Sequence, residues 1–180
     1  MATVEPIKNK KDIKTVEKIL SEQSPRDLLL FVFGTNCGLR ISDILRLNVG
    51  DVRNKTHIQI TEKKTGKFKK FFINDKLKPM LEEFIKGRKE TEPLFMSHWG
   101  KRLDRVTAYY IIRNACEEAK IDARVGTHTL RKTFGYHHYQ QFKDVALLQK
   151  IFNHSSPKIT LTYICVDQDE IDYSYKNFIL

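Results

Sequence analysis

Between His57 and Ile73 the sequence stops placing apolar residues every three or four positions and alternates them instead. His57-Ile-Gln-Ile-Thr61 alternates, as does the start of Lys67-Phe-Lys-Lys-Phe-Phe-Ile73, and Lys64-Thr-Gly66 between them supplies turn chemistry. The segment reads as one β-hairpin with a strongly basic tip. A single hairpin set between helical stretches limits the fold to a mostly helical α+β domain with a small antiparallel β-sheet.

The helical stretches carry their own punctuation. Ile13, Val16, Ile19 and Leu20 keep helical spacing and predict a first helix near 10–22. Ser24-Pro25 offers an N-cap followed by a proline at the first helical position, with Asp27 placed to cap, and opens an apolar helix through Leu28–Phe33. Gly38 should end it, and helical spacing resumes from Leu39 to Leu47. It returns at Leu77, Leu81, Phe84 and Ile85, then from Val106 to Ala119. Thr127 is placed to cap a helix through Leu130 and Phe134, and Asp144 another through Leu148 and Phe152. Ser156-Pro157 repeats the cap-then-proline signal and opens a short final helix carrying Tyr163. With 180 residues and no linker, the chain fits one domain, 1–180.

Lys and Arg number 32 against 22 Asp and Glu, a net charge of +10 that favours a polyanionic partner. Three widely spaced cysteines, Cys37, Cys116 and Cys165, read as reduced thiols rather than disulfides or a zinc site. No apolar stretch approaches a membrane span, and the chain start has no secretory pattern, so a cytoplasmic protein is expected.

The chemistry-bearing residues are scattered: Arg40 with Asp43, then Lys64, His128 with Arg131, His154 and Tyr163. Attack on a phosphodiester without a metal needs guanidiniums for the non-bridging oxygens, a nucleophile that loses a proton and a donor for the leaving oxygen. These residue types meet that need. His128 and Arg131 stand three apart, hence on one helical face, and Tyr163 follows His154 by nine. Tyr173 and Tyr175 are rival nucleophiles, but they lie in an acidic stretch with Asp167, Asp169, Glu170 and Asp172 that would repel a polyanion.

The order Cys37-Gly-Leu-Arg40-Ile-Ser-Asp43, Lys64-Thr-Gly, His128-Thr-Leu-Arg131, Asn153-His154 and Tyr163 resembles the tyrosine recombinase (phage integrase) family, over about Asp27 to Val166. The resemblance implies that Arg40 and Arg131 bind the scissile phosphate, with His154 adding a hydrogen bond. Lys64 would protonate the leaving 5′-oxygen, and His128 would assist proton transfer at Tyr163. Tyr163 would form a 3′-phosphotyrosine, later attacked by a 5′-hydroxyl. Asp43 would orient the site from beneath, and Lys63, Lys67, Lys69 and Lys70 would contact double-stranded DNA. No cofactor or metal is implied. The chain is expected to be the catalytic domain without the family's usual N-terminal DNA-clamp domain, either as a piece of a longer protein or as a minimal recombinase, and to be a monomer alone and a multimer on DNA, with Ile171, Phe178, Ile179 and Leu180 as apolar anchors. Cys37 stands where the family often has threonine, and Phe152-Asn153 where it often has Leu-Gly. Asparagine tolerates the left-handed conformation that such a turn needs. Two alternatives share much of this residue set: a type IB topoisomerase-like strand transferase and a non-catalytic DNA-binding relic.

Overall fold

The computed structural model describes residues 4–179, without the side chains at 167–170 and 174; Leu180 and the acidic side chains Asp167, Asp169 and Glu170 therefore lie outside the description. The N-terminal half begins with α1 (Lys10–Gln23) and α2 (Pro25–Cys37), joined by Ser24, whose hydroxyl accepts from the Asp27 amide. Gly38 ends α2 in the left-handed region, at φ 63°. A short α3 (Ile41–Ile44) and a 3-10 turn (Val49–Asp51) follow, so the helix expected from Leu39 to Leu47 is only one turn long. Strands β1 (His57–Thr61) and β2 (Phe68–Phe72) form the hairpin, with Ile58 opposite Phe71 and Ile60 opposite Lys69. Helices α4 (Leu77–Phe84) and α5 (Arg105–Glu118) complete this half.

In the C-terminal half, α6 (Thr129–Phe142) runs against α2, and α7 (Val145–Phe152) and α8 (Pro157–Ile164) pair behind it. Asp144 and Ser156 cap α7 and α8 through their side chains, as their positions predict. Each such cap is worth about 1 kcal/mol. Thr127 does not cap α6. The N-cap is His128, with no side-chain bond, and Thr129 instead turns its hydroxyl back to accept from the Gly126 amide. Nor is α8 the last helix: α9 (Asp167–Asn177) follows, built from a polar stretch whose spacing gives no apolar face.

Two larger apolar clusters fill the body. One joins Phe33, Leu39, Ile44, Ile58 and Phe95; the other joins α1, Phe31, Ile112 and Leu130. A third, smaller cluster of Leu148, Phe152, Ile164 and Val166 holds α7 and α8 against α6. The approach there is close at Gly135, where a Cβ would meet Ile164 at 2.6 Å and Phe152 at 2.7 Å.

Candidate active site

The site forms where the α2–α3 corner, the hairpin, the start of α6 and the α7–α8 turn converge. Gly38 makes the corner. Its left-handed φ reverses the chain, and a Cβ there would meet Phe134 at 2.6 Å. Two residues on, Arg40 stands at the N-cap of α3. The Gly38 carbonyl accepts from the Arg131 guanidinium, whose other terminal nitrogen donates to the Phe152 carbonyl at 2.9 Å. The guanidinium carbon lies 4.3 Å from the Phe152 ring centroid. Arg131 is thus fully buried, 2% exposed, and locked on three sides.

Tyr163 projects from α8 toward it. The phenol oxygen is 3.2 Å from His128 Nδ1, and the Arg131 guanidinium lies close enough to act on it electrostatically. Burial raises the phenol above its ordinary pKa, against the pull of Arg131 and Arg40. His128 moves the other way: desolvation, then Arg105 and Arg131, lower its pKa. Near neutrality the pair is therefore a protonated phenol beside an imidazole free to accept. Lys132 lies 5.0 Å over the Tyr163 ring.

His154 packs its ring 5.1 Å from that of Tyr163. Desolvation, with Arg131, Arg40 and Lys69 adding, lowers its pKa to about 4. Its Nδ1 is 3.1 Å from the Thr160 hydroxyl. When that hydroxyl donates to Nδ1, Nε2 carries the proton and can donate to an anion. Asn153, before it, adopts the left-handed conformation at φ 54° that the turn requires.

The hairpin departs from expectation at Lys69. Lys63, Lys64, Lys67 and Lys70 are exposed around the tip, but Lys69 turns inward. The period-2 pleat puts residues 68, 70 and 72 outside and 69 and 71 inside. Lys69 Nζ meets Glu62 Oε1 at 2.9 Å and donates to the Ile151 carbonyl. It therefore belongs to the site and not to the solvated basic face. Arg40 meets the same Glu62 oxygen at 2.8 Å. Glu62, 1% exposed, stands in no periodic spacing or motif. One signal pointed to it: it is the only acidic residue between Asp51 and Asp75. Asp43 is buried, and its Oδ1 accepts the Lys63 amide at 2.9 Å, so it grips the turn that carries Lys64. Tyr173 and Tyr175 are 68% and 83% exposed on α9, outside this assembly.

Comparison with known proteins places these features in context. The family model described as Phage integrase family matches residues 9–170. A probable integrase/recombinase of Bacillus subtilis, YoeC, is 48% identical over 179 residues, covering 99% of this chain and 98% of that protein. A tyrosine recombinase of Pseudothermotoga lettingae is 30% identical, covering 87% of this chain and 56% of its own length. This chain thus spans about half the length of that relative. Among solved structures, XerA recombinase superposes with a TM-score of 0.80 at 19% identity, covering 100% of this chain and 66% of that one. The catalytic domain of bacteriophage HP1 integrase superposes at 0.68 and 23% identity, covering 97% and 95%. No helix among the described residues is long and apolar enough to cross a membrane.

Proposed function

The chain belongs to the phage integrase family, and we propose that it is a site-specific DNA recombinase that breaks and rejoins strands through Tyr163. The observation that carries this reading is the Tyr163 hydroxyl, 3.2 Å from His128 Nδ1, on a helix packed beside the buried Arg131.

The steps follow from the groups present. The scissile phosphate sits against Arg40 and Arg131, with His154 donating through Nε2. His128, unprotonated near neutrality, takes the phenol proton as Tyr163 Oη attacks phosphorus. The bond to the 5′-oxygen breaks, and Lys64 supplies the proton that this oxygen gains. A 3′-phosphotyrosine remains, and a 5′-hydroxyl from a partner strand reverses the chemistry. The bond energy is conserved, so the scheme calls for no external energy source.

Double-stranded DNA is the proposed partner, engaged by exposed Lys63, Lys64, Lys67 and Lys70. Assembly on DNA would use the tail. Ile171, Phe178 and Ile179 are 48%, 70% and 88% exposed, so they are available to a neighbouring subunit rather than folded onto their own domain.

A nicked suicide DNA substrate tests the reading. Mixed with the protein and run on a denaturing gel, it should give a covalent protein–DNA adduct. Tyr163→Phe should give none while still binding DNA. An adduct that survives in Tyr163→Phe, or is lost in Tyr173→Phe, would remove Tyr163 from the role.

A further inference from the structure

Glu62 is buried against four side chains of the site, and the recombinase scheme gives it no task. Its two oxygens serve different parts of the machinery. Oε1 meets Arg40 at 2.8 Å and Lys69 at 2.9 Å. Oε2 accepts from the Thr65 hydroxyl at 2.7 Å, with the Asn153 amide at 3.5 Å. The Glu62 backbone carries the turn as well: its carbonyl accepts the Gly66 amide and its own amide donates to the Lys67 carbonyl, both at 2.9 Å. Thr65 is the residue immediately after Lys64.

We propose that Glu62 is a positioning residue, with one carboxylate oxygen aiming Arg40 and the other fixing the turn that presents Lys64. The proposal rests on the recombinase reading for the roles of Arg40 and Lys64. Its physical basis is the cost of burying a carboxylate, which is recovered only by well-placed partners. Burial alone would raise the Glu62 carboxyl, yet the Thr65 hydroxyl and the ion-pair contacts with Lys69 and Arg40 bring it down to about 2. It is therefore anionic near neutrality. Arg40 has five donors, and tying one nitrogen to Glu62 leaves the others oriented for a phosphate. Asp43 grips the Lys63 amide from the other side, so the turn is held at both shoulders.

The opposite assignment is an internal phosphate mimic, in which Glu62 occupies the anion site and must be expelled by DNA. The two differ in sign. Under the positioning role, Glu62→Gln slows adduct formation on the order of 10-fold or more, as for loss of a charge-assisted hydrogen bond. In an Arg40→Ala background the same change then costs much less, because its main target is already gone. Glu62→Asp, which keeps the charge, recovers part of the rate. Faster cleavage or tighter DNA binding in Glu62→Gln, or costs that simply add with Arg40→Ala, would overturn the proposal.

The second arm uses Thr65→Val, an exposed change that leaves the core alone. It should slow cleavage of normal DNA several-fold but not that of a substrate whose leaving 5′-oxygen is replaced by sulfur, which needs no proton. Equal slowing on both substrates counts against the link to Lys64. A third readout needs no catalysis. In the free protein, Glu62→Gln or Thr65→Val should speed amide exchange at Gly66 on the order of 10-fold. Unchanged exchange in both variants would overturn the turn-fixing half even if the wild type formed no adduct, an outcome that would separately count against the recombinase reading.

Discussion

The two sides of the active site are anchored very differently. Arg40 follows Leu39 into the largest apolar cluster, and Arg131 follows Leu130, a member of the second. Both guanidiniums are then fixed by backbone or carboxylate: Arg131 on the Gly38 and Phe152 carbonyls, Arg40 on Glu62. Tyr163 instead sits on α8, held by the small cluster of Leu148, Phe152, Ile164 and Val166. The groups proposed to stabilise charge follow residues of the two larger clusters, while the group proposed to form the covalent bond rides on the smallest of the three. Electrostatic stabilisation gains most from rigidity, since donors aimed in advance cost no reorganisation. A nucleophile must move toward phosphorus and later away, and a small cluster permits that motion at modest cost.

Five outcomes break or sharpen this contrast. The largest effect is expected on the nucleophile side, where Tyr163→Phe should abolish adducts outright with DNA binding nearly intact, read on a denaturing gel and by filter binding. On the clamp side, Arg40→Ala and Arg131→Ala should each slow cleavage on the order of 10²-fold or more. They should part on stability. Arg131→Ala empties a buried site that ties α6 to two carbonyls and should lower the thermal midpoint clearly, whereas Arg40→Ala should lower it less. Equal melting shifts would contradict the different anchoring. Lys64→Ala should fail on ordinary DNA and recover on a 5′-thio substrate; failure on both would move the proton donor elsewhere.

The contrast in anchoring has its own measurement. Amides of α8 should exchange through openings of lower free energy than those of α2, and Leu148→Ala should widen that gap at a cost of about 2–5 kcal/mol. A single common exchange energy for both helices would erase the distinction. The smallest effect concerns pH. The fold holds His154 near a pKa of about 4, below its ordinary 6.5, so the unfolded chain binds a proton that the folded one refuses. Stability should therefore fall as pH drops from about 6.5 toward 4, and His154→Gln should flatten that slope in denaturant titrations at stepped pH.

Much of the fold was legible because it was signalled locally. Ser24-Pro25, Asp144 and Ser156-Pro157 each carry a cap whose bond closes within three residues, and the hairpin announced itself by alternation. Thr127 misled because Thr129, two residues on, offered the Gly126 amide a hydroxyl instead. The polar helix α9 has no apolar stripe to read. The site divides in the same way. Arg40, His128, Arg131, His154 and Tyr163 stood out by type and spacing, whereas Glu62 and Lys69 acquire meaning only when the pleat turns both inward against residues 22 and 82 positions away. Such pairings are fixed by tertiary packing, which spacing along the chain does not record.

Gly38 has a consequence for anyone who would re-engineer this protein. Its carbonyl seats one guanidinium, and its reversal of the chain delivers the other two residues later. Random libraries that vary Arg40 and Arg131 as independent positions would be sampling a single mechanical part with two ends. Because any side chain at 38 meets Phe134, the coupling cannot be relaxed at the hinge itself. Variants with an altered anion preference are better sought in Lys63, Lys67 and Lys70, the exposed hairpin lysines that flank Lys64, which can be exchanged one at a time without moving that shared pivot.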